Sequence, residues 1–283
     1  MKITIAKSSG FCFGVRRAIK TSAELAKKEK NVFVLGDIVH NSFVVRDLEK
    51  QGIKQIRRIY PIKNSRILII RAHGAPKKTF EKAKNCGYKI MDATCPKVKD
   101  IYKISKKLEK DNVIIIVGDS KHDEVKGIIG QLKKKPLIIN SVSKILKKKL
   151  SKIQKAAVIT QSTQTLENIS KIMTGLRKII PNIKLHNTTC QTTIIKQQEI
   201  RSLPKKNDLM LILGSKTSAN TKHLYQLSKR INRKTYWIES AKDINPSWIK
   251  NIKKIGIMAG ASTPDYITRE VVGCLTSNEK LSA

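Results

Sequence analysis

Short runs of β-branched and aliphatic residues recur along the chain. Each is followed by a Gly-, Ser- or Thr-rich stretch and then by residues at helical spacing. Residues Lys2–Ala6, Val32–Leu35, Arg66–Ile70, Tyr88–Met91, Val113–Val117, Ala156–Ile159, Ile183–Leu185, Leu209–Leu213 and Ile255–Ala259 read as strands. Val15, Ala18, Ile19, Ser22, Leu25 and Ala26 fall on one side of a helix, as do Leu224, Leu227 and Ile231. Strands alternating with helices predict an α/β protein with parallel sheets. No Pro/Gly/Ser-rich linker separates large domains, so any lobes are expected to pack closely.

Length and charge narrow this picture. The 283 residues suit one large domain or two to three small ones. No apolar run nears the roughly 18 residues of a membrane span, and the N-terminus meets Gly and polar residues too early for a signal peptide. A cytoplasmic protein without a membrane partner is therefore expected. The formal charge is +37, from 58 Lys+Arg and 21 Asp+Glu. The Lys excess is spread along the chain, without aromatic-interleaved basic motifs or a zinc finger. It reads as solvated surface rather than a specific nucleic-acid site, although a positive field attracts anionic substrates and acidic partners.

The five cysteines, at 12, 86, 95, 190 and 274, form no CxxC pair and no disulfide framework. Cys12, Cys95 and Cys190 each follow a predicted strand and precede a predicted helix, which suggests three lobes of similar size. A helix N-terminus stabilises a thiolate, and Pro96 suits the first helical position after Cys95. Three such thiolates select a soft metal centre, either zinc or an iron–sulfur cluster. On a four-iron cluster, three Cys would leave one iron open as a Lewis acid. The residues by themselves leave both centres open. Cys86, at a helix end, and Cys274, in an apolar C-terminal helix, read as structural.

His40, His73 and His122 occupy similar post-strand positions. With the donors of Ser218, Asn220 and Ser262, they suggest an anion site at Gly-rich turns before helices. There is no GxxxxGK[ST] and no GxGxxG, which excludes a P-loop and a standard dinucleotide fold. Glu124, two residues after His122, could serve as a general acid if burial raises its pKa.

The segments GFCFGVRRAI, LGDIVHN, RAHG, DATCPKV, GDSKHDEVKG, NTTCQTT, LGSKTSANT and GASTPDY resemble, in order, the motif series of the 4-hydroxy-3-methylbut-2-enyl diphosphate reductase family (LytB type). The resemblance runs from residue 10 to about 267. It implies three similar small α/β lobes in a trefoil arrangement around a central [4Fe–4S] cluster. Their expected extents are 13–95, 96–189, and 190–283 with 1–12. It implies Cys12, Cys95 and Cys190 as cluster ligands. The allylic diphosphate would be held by His40, His73, His122, Ser162, Ser218, Ala219, Asn220 and Ser262. Glu124 would be the proton donor and Ser162 a relay, with ferredoxin or flavodoxin supplying two electrons. The implied reaction is reductive dehydroxylation to isopentenyl and dimethylallyl diphosphates, the terminal step of the methylerythritol phosphate route to isoprenoids. Two positions depart from the common pattern. Ser162 stands where Thr is usual, and Ala219, where many relatives have Ser, offers only its main chain.

Overall fold

The structure, a computed structural model, describes residues 1–145 and 147–281. Its elements begin with β1 (Lys2–Ile5), α1 (Phe13–Lys28), β2 (Val32–Leu35), α2 (Ser42–Lys50), β3 (Lys54–Ile56), β4 (Ile67–Ile70), α3 (Lys77–Asn85) and β5 (Lys89–Asp92). There follow α4 (Pro96–Leu108), β6 (Val113–Val117), α5 (Asp123–Ile129), β7 (Leu137–Ile139), α6 (Lys147–Leu150), β8 (Lys155–Thr160), α7 (Leu166–Arg177) and β9 (Asn182–His186). The chain continues through α8 (Gln191–Ser202), β10 (Leu209–Leu213), α9 (Ala219–Ile231), β11 (Thr235–Ile238), α10 (Pro246–Ile249), β12 (Lys254–Ala259) and α11 (Asp265–Leu281).

The strands form three four-stranded parallel sheets, ordered β3-β2-β4-β5, β7-β6-β8-β9 and β11-β10-β12-β1. The topology is the same each time. Taken along the chain, the strands of a sheet lie in the order second, first, third, fourth, with the N-terminal β1 serving as fourth strand beside β12. All nine expected strands are present. The three additional ones, β3, β7 and β11, each lie at a sheet edge.

The chain divides into two compact units. One comprises Met1–Arg16, Val39–Asp47 and Gln191–Ala283, and the other Arg17–Ile38 and Leu48–Cys190. In the first unit, Leu209, Leu211 and Leu213 pack with Ile267, Val271 and Leu275 of α11, whereas Met210 and Ile212 pack with Ile200 of α8 and Leu224 and Leu227 of α9. The second unit holds the other two sheets. Ile115 and Val117 pack with Ile169, Ile172 and Leu176 of α7, and Ile114 and Ile116 pack with Ile101 of α4 and Val125 and Ile128 of α5. These strands read as continuous apolar runs because helices cover both of their faces. Ile231, expected on the apolar face of α9, ends that helix and is exposed.

Candidate active site

In an open parallel sheet the crevice for a ligand lies past the carboxyl ends of the strands, where the strand order reverses. With this topology that point falls between the first and third strands of each sheet. Register places Val117 opposite Thr160, so the loops after β6 and β8 leave side by side. Leu213 is likewise opposite Ala259.

The loops after β6 and β8 in the second unit carry the clearest acid–base geometry. His122 caps α5, its Nδ1 accepting from the Glu124 N–H at 3.1 Å. In the neutral ring this role puts the proton on Nε2, making that nitrogen a donor. Glu124, in the first turn of α5, is only 2% exposed. Its Oε1 accepts from the Ser162 N–H at 2.6 Å, and the Ser162 hydroxyl lies 2.5 Å from Oε2. Burial pushes the Glu124 carboxyl above the ordinary carboxylate range and outweighs the two Ser162 contacts, which favour ionisation. The shift favours the protonated form, and Oε2 stands in short contact with the Ser162 hydroxyl.

Neighbouring contacts fix these loops. The Gln161 side chain accepts from the Asp119 N–H at 3.0 Å. The Arg71 guanidinium pairs with Asp123 at 2.9 Å, tying the loop after β4 to the start of α5. His73, in that loop, lies edge-on to His122 with ring centroids 5.6 Å apart. Gly74 follows with φ +75°, a left-handed conformation that favours glycine. The Tyr102 hydroxyl, reaching across from α4, leaves no room for a side chain there. A Cβ at Gly74 would lie 2.1 Å from it, and one at Gly127 in α5 2.2 Å. Burial, with the carboxyls of Glu124 and Asp92, pushes the Tyr102 phenol above its ordinary value, so it serves as a neutral hydroxyl.

Each cysteine of the candidate ligand set follows the fourth strand of a sheet and directly precedes a helix. The Cys95 N–H donates to Ala72 O at 3.0 Å, the Cys190 N–H to Ser162 O at 2.9 Å, and the Cys12 N–H to Ala261 O at 3.1 Å. Each acceptor stands two residues past the end of the third strand, so one main-chain device fixes all three positions. Cys95 is the N-cap of α4 with Pro96 behind it. Its turn is shaped by Asp92, which accepts from the Thr94 N–H at 3.0 Å and pairs with Lys99 at 2.6 Å. Burial opposes ionisation of Asp92, but these partners prevail and hold its pKa below the ordinary value. The segment ending at Cys190 is locked by Thr188, whose Oγ1 accepts from the Thr160 N–H at 2.8 Å and donates to Thr160 O at 2.5 Å. Cys86 caps the C-terminus of α3 and packs against apolar neighbours, as a structural cysteine would, and Cys274 lies within α11.

The first unit contains Cys12, His40, Ser218, Ala219, Asn220 and Ser262. Ser218 caps α9, its Oγ accepting from the Thr221 N–H at 3.3 Å. Ala219 is the first residue of that helix and offers a main-chain N–H where the helix dipole favours an anion. Asn220 is buried, and its Nδ2 has no hydrogen-bond partner among the described residues, a donor suited to an absent acceptor. Ser262 donates to His40 O at 3.1 Å, and Asn41 caps α2 behind it. The donors thus match an oxygen-rich anion, and thiolates presented at helix starts match a soft metal centre.

Sequence reasoning passed over Tyr102, Thr188, Lys196 and Glu199. Lys196 had one legible signal: it lies on the same stripe of α8 as buried Thr193, Gln197 and Ile200, where an apolar residue is the usual occupant.

The family model described as LytB protein matches residues 3–276. The chain is 36% identical over 273 residues to the 4-hydroxy-3-methylbut-2-enyl diphosphate reductase of Geobacter metallireducens, covering 96% of each chain. It is 37% identical over 277 residues to the enzyme of the same name from Campylobacter fetus, covering 97% of each. A solved structure of (E)-4-hydroxy-3-methyl-but-2-enyl diphosphate reductase, described as the terminal enzyme of the non-mevalonate pathway, is 34% identical with a TM-score of 0.72. That match covers 98% of this chain and all of the other. The reductase from Plasmodium falciparum superposes with a TM-score of 0.89 at 30% identity, covering 97% of this chain and 88% of that one. Matched over nearly its whole length by sequence and by fold, the chain belongs to the LytB family.

Proposed function

We propose that this protein is a 4-hydroxy-3-methylbut-2-enyl diphosphate reductase, taking up two electrons and two protons, one proton leaving with the allylic hydroxyl as water and the other going to the allylic carbon framework, to give isopentenyl and dimethylallyl diphosphates. The observation that carries this reading is the buried Glu124 carboxyl joined to the Ser162 hydroxyl in a chain that is LytB-like throughout. Cys12, Cys95 and Cys190 are assigned as the ligands of a [4Fe–4S] cluster, on the chemistry of three thiols presented identically before helices. Bound there, such a cluster supplies the electrons and a Lewis-acidic iron for the hydroxyl oxygen.

The chain's own residues do the rest. Hydroxide is a poor leaving group, so the oxygen must be protonated as the C–O bond breaks. Glu124, whose carboxyl is shifted by burial toward the protonated form, is assigned to give its proton to the Ser162 oxygen while Ser162 passes its own onward. The diphosphate is assigned to His40, His73, His122, Ser218, Asn220 and Ser262, with Ser162 and the Ala219 main chain beside it. Many donors hold the allylic carbon in one orientation, the condition for a fast unimolecular step. Ser162 keeps the hydroxyl that Thr provides in relatives, so the relay survives the substitution. A ferredoxin or flavodoxin is assigned as electron donor, attracted by the +37 charge. The lobes are assigned to 13–95, 96–189, and 190–283 with 1–12, each containing one sheet. No helix among the described residues is long and apolar enough to cross a membrane, and the reading places the enzyme in the cytoplasm.

Anaerobically purified protein, incubated with the allylic diphosphate and a chemical reductant, should yield both isomeric diphosphates and show visible iron–sulfur absorption. Colourless protein with stoichiometric zinc and no product would overturn the assignment.

A further inference from the structure

Lys196 is the largest fully buried side chain among the described residues, at 0% exposure. It stands in α8, the helix that starts directly after Cys190, yet its ammonium reaches the other end of the chain. Nζ donates to Ser8 O and, at 3.1 Å, to Ala259 O. Glu199, one turn further along the same helix, completes the grip. It accepts from the Lys7 N–H at 2.6 Å, the Ser8 N–H at 2.9 Å and the Ser8 hydroxyl at 2.6 Å.

Residues 7–11 are irregular and lead straight to Cys12. Past the grip, the Ser9 hydroxyl accepts from the Ala259 N–H at 2.7 Å. Gly10, at φ +84°, presses against the Asp265 carboxylate so closely that a Cβ would lie 2.6 Å from it. A fully buried ammonium is costly unless paired and hydrogen-bonded. Here the charge is answered by two main-chain carbonyls and by the nearby Glu199, Asp265 and Cys12 groups. A methylene side chain would fill the same space without that cost, so packing alone does not account for a lysine at this position.

We propose that Lys196 and Glu199 are positioning residues that clamp the segment 7–9 so that Cys12 is presented to the cluster; the inference rests on the ligand assignment above.

The test uses two variants of the full chain, Lys196→Met and Glu199→Ala. In the metal-free protein, the rate of maleimide labelling is followed cysteine by cysteine through peptide mass. Loss of charge-assisted bonds should raise Cys12 labelling roughly 10- to 100-fold in both variants, leaving Cys95 and Cys86 at wild-type rates. In the cluster-loaded protein, both variants should lose iron to a chelator faster than wild type. Should Lys196→Met not fold, Glu199→Ala, at a partly exposed residue, decides the matter. Wild-type rates at Cys12, or an equal rise at every cysteine, would overturn the clamp. Failure of the wild-type protein to bind any cluster would instead sink the ligand assignment and leave the labelling result to judge the clamp by itself.

Discussion

Replacing Gly127 by Ala adds one carbon between two helices that carry site residues, and the structure sets the size of the disturbance. The new Cβ would lie 2.2 Å from the Tyr102 hydroxyl oxygen. An unstrained contact needs roughly 3.5 Å, so α5 and α4 must part by about 1 Å in a close-packed core. Glu124 lies three residues before Gly127 on α5, and α4 begins directly after Cys95. A displacement of about 1 Å at a catalytic group costs on the order of 100-fold in kcat. Overpacking should cost about 1–3 kcal/mol, of which the better helix propensity of Ala returns about 1. The net is a fall of a few degrees in Tm, at about 2–4 °C per kcal/mol for a chain of this size or smaller. Removing the hydroxyl with Tyr102→Phe leaves Cζ as the nearest atom at 3.2 Å, a strain of a few tenths of an ångström. Gly127→Ala should therefore lose about two orders of magnitude in anaerobic turnover at unchanged iron content, and Gly127→Ala with Tyr102→Phe should regain most of it. Full activity in the single variant, or no recovery in the double one, would refute the idea that Tyr102 wedges the acid-bearing helix in place.

The remaining expectations concern the acid, the thiols and the loop before Cys190. Glu124→Gln is isosteric and retains an acceptor for the Ser162 N–H, so turnover should fall roughly 10²- to 10⁴-fold with the visible spectrum unchanged; retained turnover would remove Glu124 as proton donor. The same variant tests the pKa. A carboxyl raised on folding stabilises the fold fully below its ordinary value of 4.5 and loses that contribution as pH rises through the raised value. Urea midpoints of the wild type should therefore decline relative to Glu124→Gln over that interval, and parallel profiles would contradict the shift. Cys95→Ser should lose iron and activity together while Cys86→Ser and Cys274→Ser keep both, as read by iron and sulfide content. Thr188→Val leaves the Thr160 N–H and carbonyl without their side-chain partner, which should cost about 1–3 kcal/mol in a denaturation curve.

What could be read from the chain follows from where the information is written. The inner strands β2, β4, β6, β8, β10 and β12 are largely buried, so each carries a run of mainly apolar residues. The edge strands β3, β7 and β11 have three or four residues each. Lys54-Gln55-Ile56 has a single apolar residue, and the pairing of such segments is decided by the neighbouring strand rather than by their own composition. The candidate site residues stand out in the sequence because they crowd the loops after strands, in polar and thiol-bearing types. Tyr102 does not, because a tyrosine on a helix looks ordinary until Gly127 is seen against it, and the lysine that interrupts the buried stripe of α8 at Lys196 does not reveal that its partner is Ser8. Those contacts join segments 25 and 188 residues apart, and nothing local records them.

The likeness among the three sheets is hidden from the sequence by the same logic. Each candidate ligand is fixed by its own N–H bonding a carbonyl two residues past the third strand, and that bond makes no demand on the side chain of the acceptor, which is Ala72, Ser162 or Ala261. Around this constant main-chain device the supporting contacts diverge: Asp92 and Lys99 shape the turn at Cys95, Thr188 locks the approach to Cys190, and Lys196 with Glu199 grips the approach to Cys12. Because parallel sheets of one topology present equivalent loops at their carboxyl ends, only the cysteine itself must recur in sequence. The surrounding residues are free to solve the local problem three different ways. A threefold structural repetition can therefore coexist with a sequence in which spacing, and not similarity, is the trace that remains.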